Sequence, residues 1–214
     1  MTQAAPFGYH GAMNALPPLA LRLAEGAPRD PDRFLAWAAN TPALEGFKVE
    51  LAHGEVTMMM AQVSQAHARI CTNLLAVLLQ KFDRATHLLT TADFGVRTEH
   101  GIRYPDILVD AGVGTGKDYA AREPIFIAEV LSPSSIATDM IEKRDEYLQI
   151  GTLQAYLICA QDEPRAWLFL REDGRFPASP VMIEGRAASV EVPALALSLP
   201  MADIFAGIPD ASSA

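Results

Sequence analysis

One carboxylate interrupts the apolar stretch Ile125-Phe126-Ile127-Ala128-Glu129-Val130-Leu131. A short apolar run of this kind is typical of a buried strand. Glu129 would then place a charge in the core, where an unpaired carboxylate costs roughly several kcal/mol. The stretch therefore predicts a buried strand whose carboxylate has a partner: a cation, a metal ion or a network of hydrogen-bond donors.

The composition is that of one acidic globular protein. The 214 residues are 50% hydrophobic, 20% charged and 7% aromatic, which is sufficient for one sizeable core. Acidic residues outnumber basic ones 26 to 17, and the net charge is -9. This balance excludes a surface that attracts polyanions everywhere, so a nucleic-acid role needs a local basic patch or bound divalent cations.

The cysteines and the hydropathy pattern bear on the compartment. Cys71 and Cys159 each lie in an apolar segment, and we interpret them as buried, reduced side chains rather than as a disulfide or a zinc site. No stretch of the sequence approaches the ~18 apolar residues of a membrane span, and the N-terminus lacks a basic segment followed by an apolar one. We expect a cytoplasmic protein that does not contact the membrane.

Residues 1–30 are predicted to form an irregular arm, residues 31–207 a single domain and residues 208–214 a flexible tail. Periodicity and turn signals then predict the following elements: a helix at 31–40, a hairpin of 47–51 and 56–61, a helix at 64–82, strands at 87–91, 94–98 and 103–109, the Glu129 strand, a helix at 136–150, strands at 155–160, 166–171, 180–183 and 189–192, and a helical turn at 201–207.

The helix predicted at 136–150 offers Glu129 a partner. A helical wheel places two groups on opposite faces: the apolar Met140, Ile141, Tyr147 and Leu148, and the polar Glu142, Asp145, Glu146 and Gln149. Lys143 falls at the edge of the apolar face. Its ammonium could reach Glu129, or its stem could cover the core while the charge reaches water, and position alone leaves both open.

Asp106 begins an apolar strand directly after Pro105. If this strand lies beside the Glu129 strand, the two carboxylates converge at a common end. A divalent cation between them would relieve their repulsion. The alternative is that Asp106 is a turn or strand-end residue.

The same residues carry a family resemblance, in these segments: Tyr104-Pro105-Asp106, Ile127-Ala128-Glu129-Val130-Leu131-Ser132-Pro133-Ser134, Asp139, Glu142-Lys143-Arg144, Tyr147, Gly151 and Ala155-Tyr156-Leu157-Ile158. Over roughly residues 31–207 the chain resembles the Uma2 family, long catalogued as a domain of unknown function. That family is placed in the restriction-endonuclease-like, or PD-(D/E)XK, superfamily, whose core order is helix, three strands, helix, strand.

The resemblance implies an α/β fold with a mixed sheet, a restriction-endonuclease-like core, an N-terminal hairpin and extra C-terminal strands. It implies that Asp106 and Glu129 jointly bind Mg²⁺ (or Mn²⁺), with the Leu131 carbonyl as a further ligand. The superfamily expects a lysine where this chain has Leu131, and the resemblance suggests that Lys143 substitutes for it. His67 and Glu50 are second-rank candidates for the same site, each with a structural alternative.

The function implied is a Mg²⁺-dependent endonuclease that hydrolyses phosphodiester bonds in DNA, with Asp106, Glu129 and Lys143 as catalytic residues. The alternative is a nuclease-fold scaffold or regulatory binding protein without turnover, which the acidic charge and Leu131 would suit. A homodimer is left open, because the strands between 166 and 192 offer edges that could pair.

Overall fold

The computed structural model describes residues 25–41, 44, 47–60, 63–112, 114–131 and 138–209. Four parts of the prediction therefore lie outside the described residues: most of the arm, the end of the strand at 56–61, the first residues of the helix at 136–150, and most of the tail. The described part is an α/β structure with a mixed sheet, as predicted.

The N-terminal helix and hairpin form where capping and turn residues predict them. Helix α1 (Pro31–Ala39) begins with Asp30, whose Oδ1 accepts a hydrogen bond from the Arg33 N–H at 3.0 Å. Strands β1 (Phe47–Ala52) and β2 (Glu55–Met60) pair through a two-residue turn. Because His53 and Gly54 both have positive φ, at 48° and 77°, the turn matches the twist of a hairpin.

A four-stranded sheet has the order β2-β1-β5-β4, with β4 at Val96–Thr98 and β5 at Gly101–Arg103. The strand predicted at 103–109 is wrong as one element. It is divided, because β5 ends at Arg103 in this sheet and β6 (Ile107–Asp110) begins in another. Pro105 has no N–H for a ladder, so the chain can leave one sheet and enter the next at that point.

A six-stranded sheet forms the centre of the described structure. Besides β6, its strands are β3 (Leu88–Thr91), β7 (Pro124–Val130), β8 (Ala155–Cys159), β9 (Arg165–Leu170) and β10 (Val181–Glu184). Their order is β10-β9-β8-β7-β6-β3; the pair β7–β8 is parallel and the other pairs are antiparallel. The predicted core order of helix, strands, helix and strand is confirmed, and Glu129 lies in an inner strand.

The long helix α2 (Gln65–Lys81) covers one face of this sheet. Its buried face consists of His67, Ile70, Leu74 and Leu78, whereas Ala68 and Leu79 are exposed. Strands β11 (Ser189–Val192) and β12 (Leu197–Pro200), a 3₁₀ turn (Pro193–Leu195) and helix α3 (Met201–Ile204) complete this layer. Within the described ranges, no helix has the length and apolar character needed to cross a membrane.

The helix predicted at 136–150 has a different form. Its described part is a π-helix, Thr138–Lys143, followed by a short α-helix, Arg144–Tyr147. A π-helix bonds each residue to the fifth one along rather than the fourth, so a wheel drawn for an α-helix is out of phase. The predicted faces are accordingly wrong at Ile141, which is 55% exposed, and at Glu146, which is buried.

The close approach of β5 to β1 gives a stability prediction. A Cβ added to Gly101 would lie 1.8 Å from the Leu51 carbonyl oxygen, whereas a Cβ on Gly151 would meet nothing within 4 Å. We expect Gly101→Ala to lower the free energy of unfolding by ~1–3 kcal/mol or more, because overpacking separates the strands. Gly151→Ala, the control, should change it by less than ~0.5 kcal/mol. Urea unfolding that gives equal values for both variants would contradict this packing.

Candidate active site

The register of β6 and β7 decides where the two predicted carboxylates lie. Ile107 pairs with Ala128 in an antiparallel ladder, so Asp106 and Glu129 occupy the adjoining position, where β6 begins and β7 ends. Asp106 Oδ2 accepts a hydrogen bond from the Val130 N–H at 2.8 Å. The side chain of Asp106 thus continues the ladder that Pro105 interrupts, and it is held against the strand that carries Glu129.

Glu129 is 2% exposed and its carboxylate has two donors from the following helical segment. Lys143 Nζ lies 3.0 Å from Glu129 Oε1, and the Tyr147 hydroxyl donates to the same oxygen at 3.1 Å. Burial, and then the charge of Glu129, raise the pKa of Tyr147 well above its ordinary value, so its hydroxyl keeps the proton that it donates. Of the two orientations left open for Lys143, the structure therefore has the one directed at Glu129.

Helix α2 places the side chains of His67 and Cys71 beside Asp106. Ser64 caps the helix by accepting a hydrogen bond from the His67 N–H at 3.0 Å, which fixes the first turn. His67 is 8% exposed, and its Nε2 lies 3.3 Å from Asp106 Oδ1. Cys71, one turn further on, is partly buried, and ligand atoms of His67, Cys71 and Asp106 all lie within 4.8 Å of one another.

Both cysteines were predicted to be buried, reduced side chains, and the prediction is wrong for the burial of Cys71, which is only partly buried. Both are free, and Cys159 is buried as expected. Burial, and then the charge of Asp106, raise the pKa of Cys159 to about 12. Burial also raises the pKa of Cys71, again with a contribution from Asp106, so this thiol is protonated when no cation is bound. Cys71, however, lies beside two residues that can bind metals.

A second group of buried charges surrounds Arg103, at the end of β5. Its Nη2 lies 2.6 Å from Glu146 Oε1, its Nε 3.0 Å from Glu146 Oε2, and its Nη1 3.3 Å from Glu50 Oε2. Glu50 Oε1 also accepts from the Tyr104 N–H at 3.2 Å, two residues before Asp106. Arg103 therefore joins β1, β5 and the segment that carries Lys143.

The pKa values of this group follow from competition between burial and pairing. Burial alone would raise the pKa of Glu146, but its hydrogen bonds and ion pair with Arg103 outweigh burial and lower it. For Arg103 the signs are reversed: burial alone would lower its pKa, but the hydrogen bond and charge of Glu146, together with the charge of Glu50, raise it. Glu146 and Arg103 are therefore both charged at neutral pH.

The structure thus brings four of the five predicted site residues into contact in two pairs, Glu129 with Lys143 and Asp106 with His67. Glu50 instead contacts Arg103 and Tyr104. Leu131, where the superfamily expects a lysine, is 8% exposed, and its N–H donates to the Cys159 carbonyl at 2.8 Å.

Sequence reasoning missed the roles of Arg103, Glu146 and Cys71. A signal for the first was present, since Glu50 and Arg103 are opposite charges in two short apolar strands, and the β1–β5 register sets them side by side. Glu146 was missed because a wheel drawn for an α-helix is out of phase with the π-helix and placed this residue on the exposed face. For Cys71 the signal was its spacing of four from His67, which places both on one side of a helix.

A comparison with protein families covers most of this chain. The model of the Uma2 family, described as "Putative restriction endonuclease", matches residues 31–202. The chain belongs to the Uma2 family. The predicted resemblance is confirmed, and the family is one of nuclease type.

A solved structure has the same fold as this Uma2 family member. It is described as "a putative nuclease belonging to DUF820" from Anabaena variabilis ATCC 29413, and it aligns with a TM-score of 0.64 at 19% identity. The alignment covers 82% of this chain and 98% of that one. The restriction-endonuclease-like fold predicted for the chain is thereby confirmed. Among curated proteins, none matches the chain.

Arg103 gives a second stability prediction. Arg103→Met would leave the Glu50 and Glu146 carboxylates buried without their cation, and breaking a buried ion pair in this way costs roughly 3–5 kcal/mol. The matched control is Arg122→Met, because Arg122 pairs with Asp118 at 3.0 Å while half-exposed. We expect that control to lose at most ~1 kcal/mol in denaturant unfolding. Similar losses in the two variants would contradict the network.

The pH dependence of the same variant has a definite sign. In the wild type the pKa of Glu146 is lowered on folding, so its contribution to stability is present above its ordinary pKa and is lost as the pH falls through the folded value. In Arg103→Met, the pKa-lowering contacts of Arg103 are lost, and only the Thr98 hydrogen bond and the nearby His53 still oppose burial. We therefore expect the pKa of Glu146 to rise, so that the variant recovers stability as Glu146 is protonated. We expect the difference in unfolding free energy between the wild type and Arg103→Met to become smaller as the pH falls from about 7 to about 5, in denaturant unfolding at each pH. A difference that grows over this range would contradict the pairing of Glu146 with Arg103.

Proposed function

We propose that this Uma2 family member is a Mg²⁺-dependent endonuclease that hydrolyses phosphodiester bonds in DNA. The observation that carries the proposal is the pair of carboxylates located where β6 begins and β7 ends, with the Lys143 ammonium 3.0 Å from Glu129. A nuclease family and a nuclease-like fold support the same reaction class. The choice of Mg²⁺ and of DNA belongs to the proposal.

The donor set fits a hard divalent cation. Mg²⁺ prefers carboxylate, carbonyl and water oxygens, and is commonly bound through one or two carboxylates together with phosphates of the substrate. Asp106 and Glu129 would hold it, with the Leu131 carbonyl as a further ligand, and Mn²⁺ could replace it. When bound, the cation supplies Lewis-acid chemistry, polarising a phosphoryl oxygen and making a nearby water more acidic.

The side chains of the chain have separate tasks in this proposal. Water adds its oxygen to phosphorus, one phosphorus–oxygen ester bond breaks, and the departing oxygen takes a proton. Lys143 orients the water or stabilises the negative charge that develops at phosphorus. The Tyr147 hydroxyl, bonded to Glu129 Oε1, fixes the carboxylate, and Asp106 is held in place by the Val130 N–H.

The charge balance supports dependence on a cation. Two carboxylates repel a phosphodiester, and the protein as a whole has a charge of -9. A bound divalent cation inverts the local sign and lets a phosphate approach. The same net charge argues against tight, indiscriminate binding to DNA.

A scaffold without turnover is the second candidate, and Leu131 favours it. Restriction-endonuclease-like sites usually have a lysine at that position, whereas here the lysine comes from a helical segment. The scaffold predicts binding without cleavage.

The carboxylates are tested by cleavage of plasmid, single-stranded DNA and RNA with Mg²⁺ or Mn²⁺. We expect metal-dependent cleavage of DNA, and we expect Asp106→Asn and Glu129→Gln each to abolish it. Asp145→Asn is the matched control, because Asp145 is an exposed carboxylate on the helix after Lys143, and it should retain activity. Cleavage that survives both site substitutions would refute the site, and wild-type protein without cleavage would favour the scaffold.

Lys143 is tested separately because it replaces the usual lysine. We expect Lys143→Met to lower the cleavage rate by roughly 10²–10³-fold, the effect of removing one group that stabilises developing charge. Calorimetric Mn²⁺ binding should survive this substitution, since Lys143 is not a ligand. A variant that keeps the wild-type rate would remove Lys143 from the mechanism.

Three wider expectations belong to this proposal. The domain would span residues 31–207, between an irregular arm and a flexible tail. The protein would act in the cytoplasm, and a homodimer could form through strand edges of its C-terminal half. Size-exclusion chromatography with light scattering tests the last of these.

A further inference from the structure

Two side chains beside Asp106, those of His67 and Cys71, have no role in the proposed hydrolysis. His67 and Cys71 lie four residues apart on α2, so both are directed to the same side of the helix. His67 Nε2 is 3.3 Å from Asp106 Oδ1, and one ligand atom from each of the three residues lies within 4.8 Å of the others. In a tetrahedral zinc site with one sulfur, one nitrogen and one oxygen ligand, the bound atoms lie ~3.3–3.8 Å apart, so side-chain rotations that bring these three atoms closer together would close the site.

The chemistry of these donors differs from that of the two carboxylates. Imidazole nitrogen and thiolate sulfur are borderline and soft ligands, which suit Zn²⁺ and similar ions, whereas Mg²⁺ prefers oxygen. His67 is buried and Cys71 is partly buried, so the ligands are held in the fold rather than on a mobile surface. A nitrogen, a sulfur and an oxygen on three protein side chains resemble zinc sites that keep a fourth position open.

We propose that His67, Cys71 and Asp106 form a site for a borderline divalent transition-metal ion of the Zn²⁺ class. The ion would displace the proton of the Cys71 thiol, as metal binding to cysteine requires. Asp106 would serve as its oxygen ligand. The ion would therefore lie between α2 and the beginning of β6 and would join the helix to the sheet.

The position of Asp106 gives this site a regulatory consequence. The same carboxylate is a ligand in the proposed Mg²⁺ site, so a Zn²⁺ ion held by His67 and Cys71 would compete for it. Zn²⁺ should then inhibit cleavage, and this consequence, unlike the binding itself, rests on the proposed function.

Cobalt spectroscopy tests the binding without reference to catalysis. Co²⁺ substitutes for Zn²⁺, and a cobalt–thiolate bond has a charge-transfer absorption in the near ultraviolet. Titration of the reduced, metal-free full chain with Co²⁺ should produce this band at one equivalent, and Zn²⁺ should bleach it. Absence of the band would overturn the proposal.

Variants assign the sulfur. Cys71→Ser should remove the charge-transfer band, whereas Cys159→Ser, at the buried second thiol, should keep it. His67→Gln should weaken Co²⁺ binding by more than the roughly 10–100-fold cost of losing an outer-shell partner. His100→Gln, which removes one ring of the His53–His100 pair, should change nothing. A band that persists in Cys71→Ser, or that disappears in Cys159→Ser, would overturn the assignment.

The competition has its own readout. In a cleavage assay with Mg²⁺, Zn²⁺ should inhibit the wild type at concentrations that leave Cys71→Ser active. Equal inhibition of both proteins would overturn the competition. If the protein shows the cobalt band but does not cleave DNA, the proposed function is contradicted and this metal site is still supported.

Discussion

A charge in the middle of a sheet is the constraint on which this structure depends. Glu129 lies on β7, between β6 and β8, and is 2% exposed. An unpaired carboxylate there would cost roughly several kcal/mol, so the fold must bring donors to it. Lys143 and Tyr147 meet this requirement and attach the π-helical segment to the sheet. These contacts with Glu129, rather than burial of Ile141, position the segment, since Ile141 is exposed to water.

Arg103 extends the same principle to the smaller sheet. It pairs with Glu50 on β1 and with Glu146 on the short helix Arg144–Tyr147, so buried ion pairs connect the hairpin to this helix. The next residue of the helix, Tyr147, donates a hydrogen bond to Glu129 on β7. Buried ion pairs add little net stability compared with apolar packing, but each tolerates few geometries. These ion pairs fix β1 and β5 relative to the segment that carries Lys143, which is one of the three elements that supply the proposed site residues. The proposed metal chemistry depends on that precision.

The sequence predicted what local patterns and family resemblance encode, and missed what tertiary pairing decides. The hairpin, the long helix, the Glu129 strand and the order of the core were predictable from turn residues and periodicity. The division of the strand at 103–109 was not, because it depends on which sheet each half joins. The burial of Glu146 was also missed, since a π-helix changes the phase of the wheel and Arg103 lies 43 positions away. The contact of Lys143 with Glu129 was one of two orientations that periodicity left open, and only the packed structure selects it.

A structure determined from crystals soaked in Mn²⁺ is the decisive test of one ion shared by Asp106 and Glu129, because anomalous scattering locates the ion independently of any assay. We expect a manganese peak between Asp106 and Glu129, with one oxygen of each carboxylate bound, so that the two oxygens lie within ~5 Å of each other. Lys143 should remain beside Glu129. Carboxylates that stay too far apart to share one ion, or a manganese peak remote from both of them, would contradict the shared metal site.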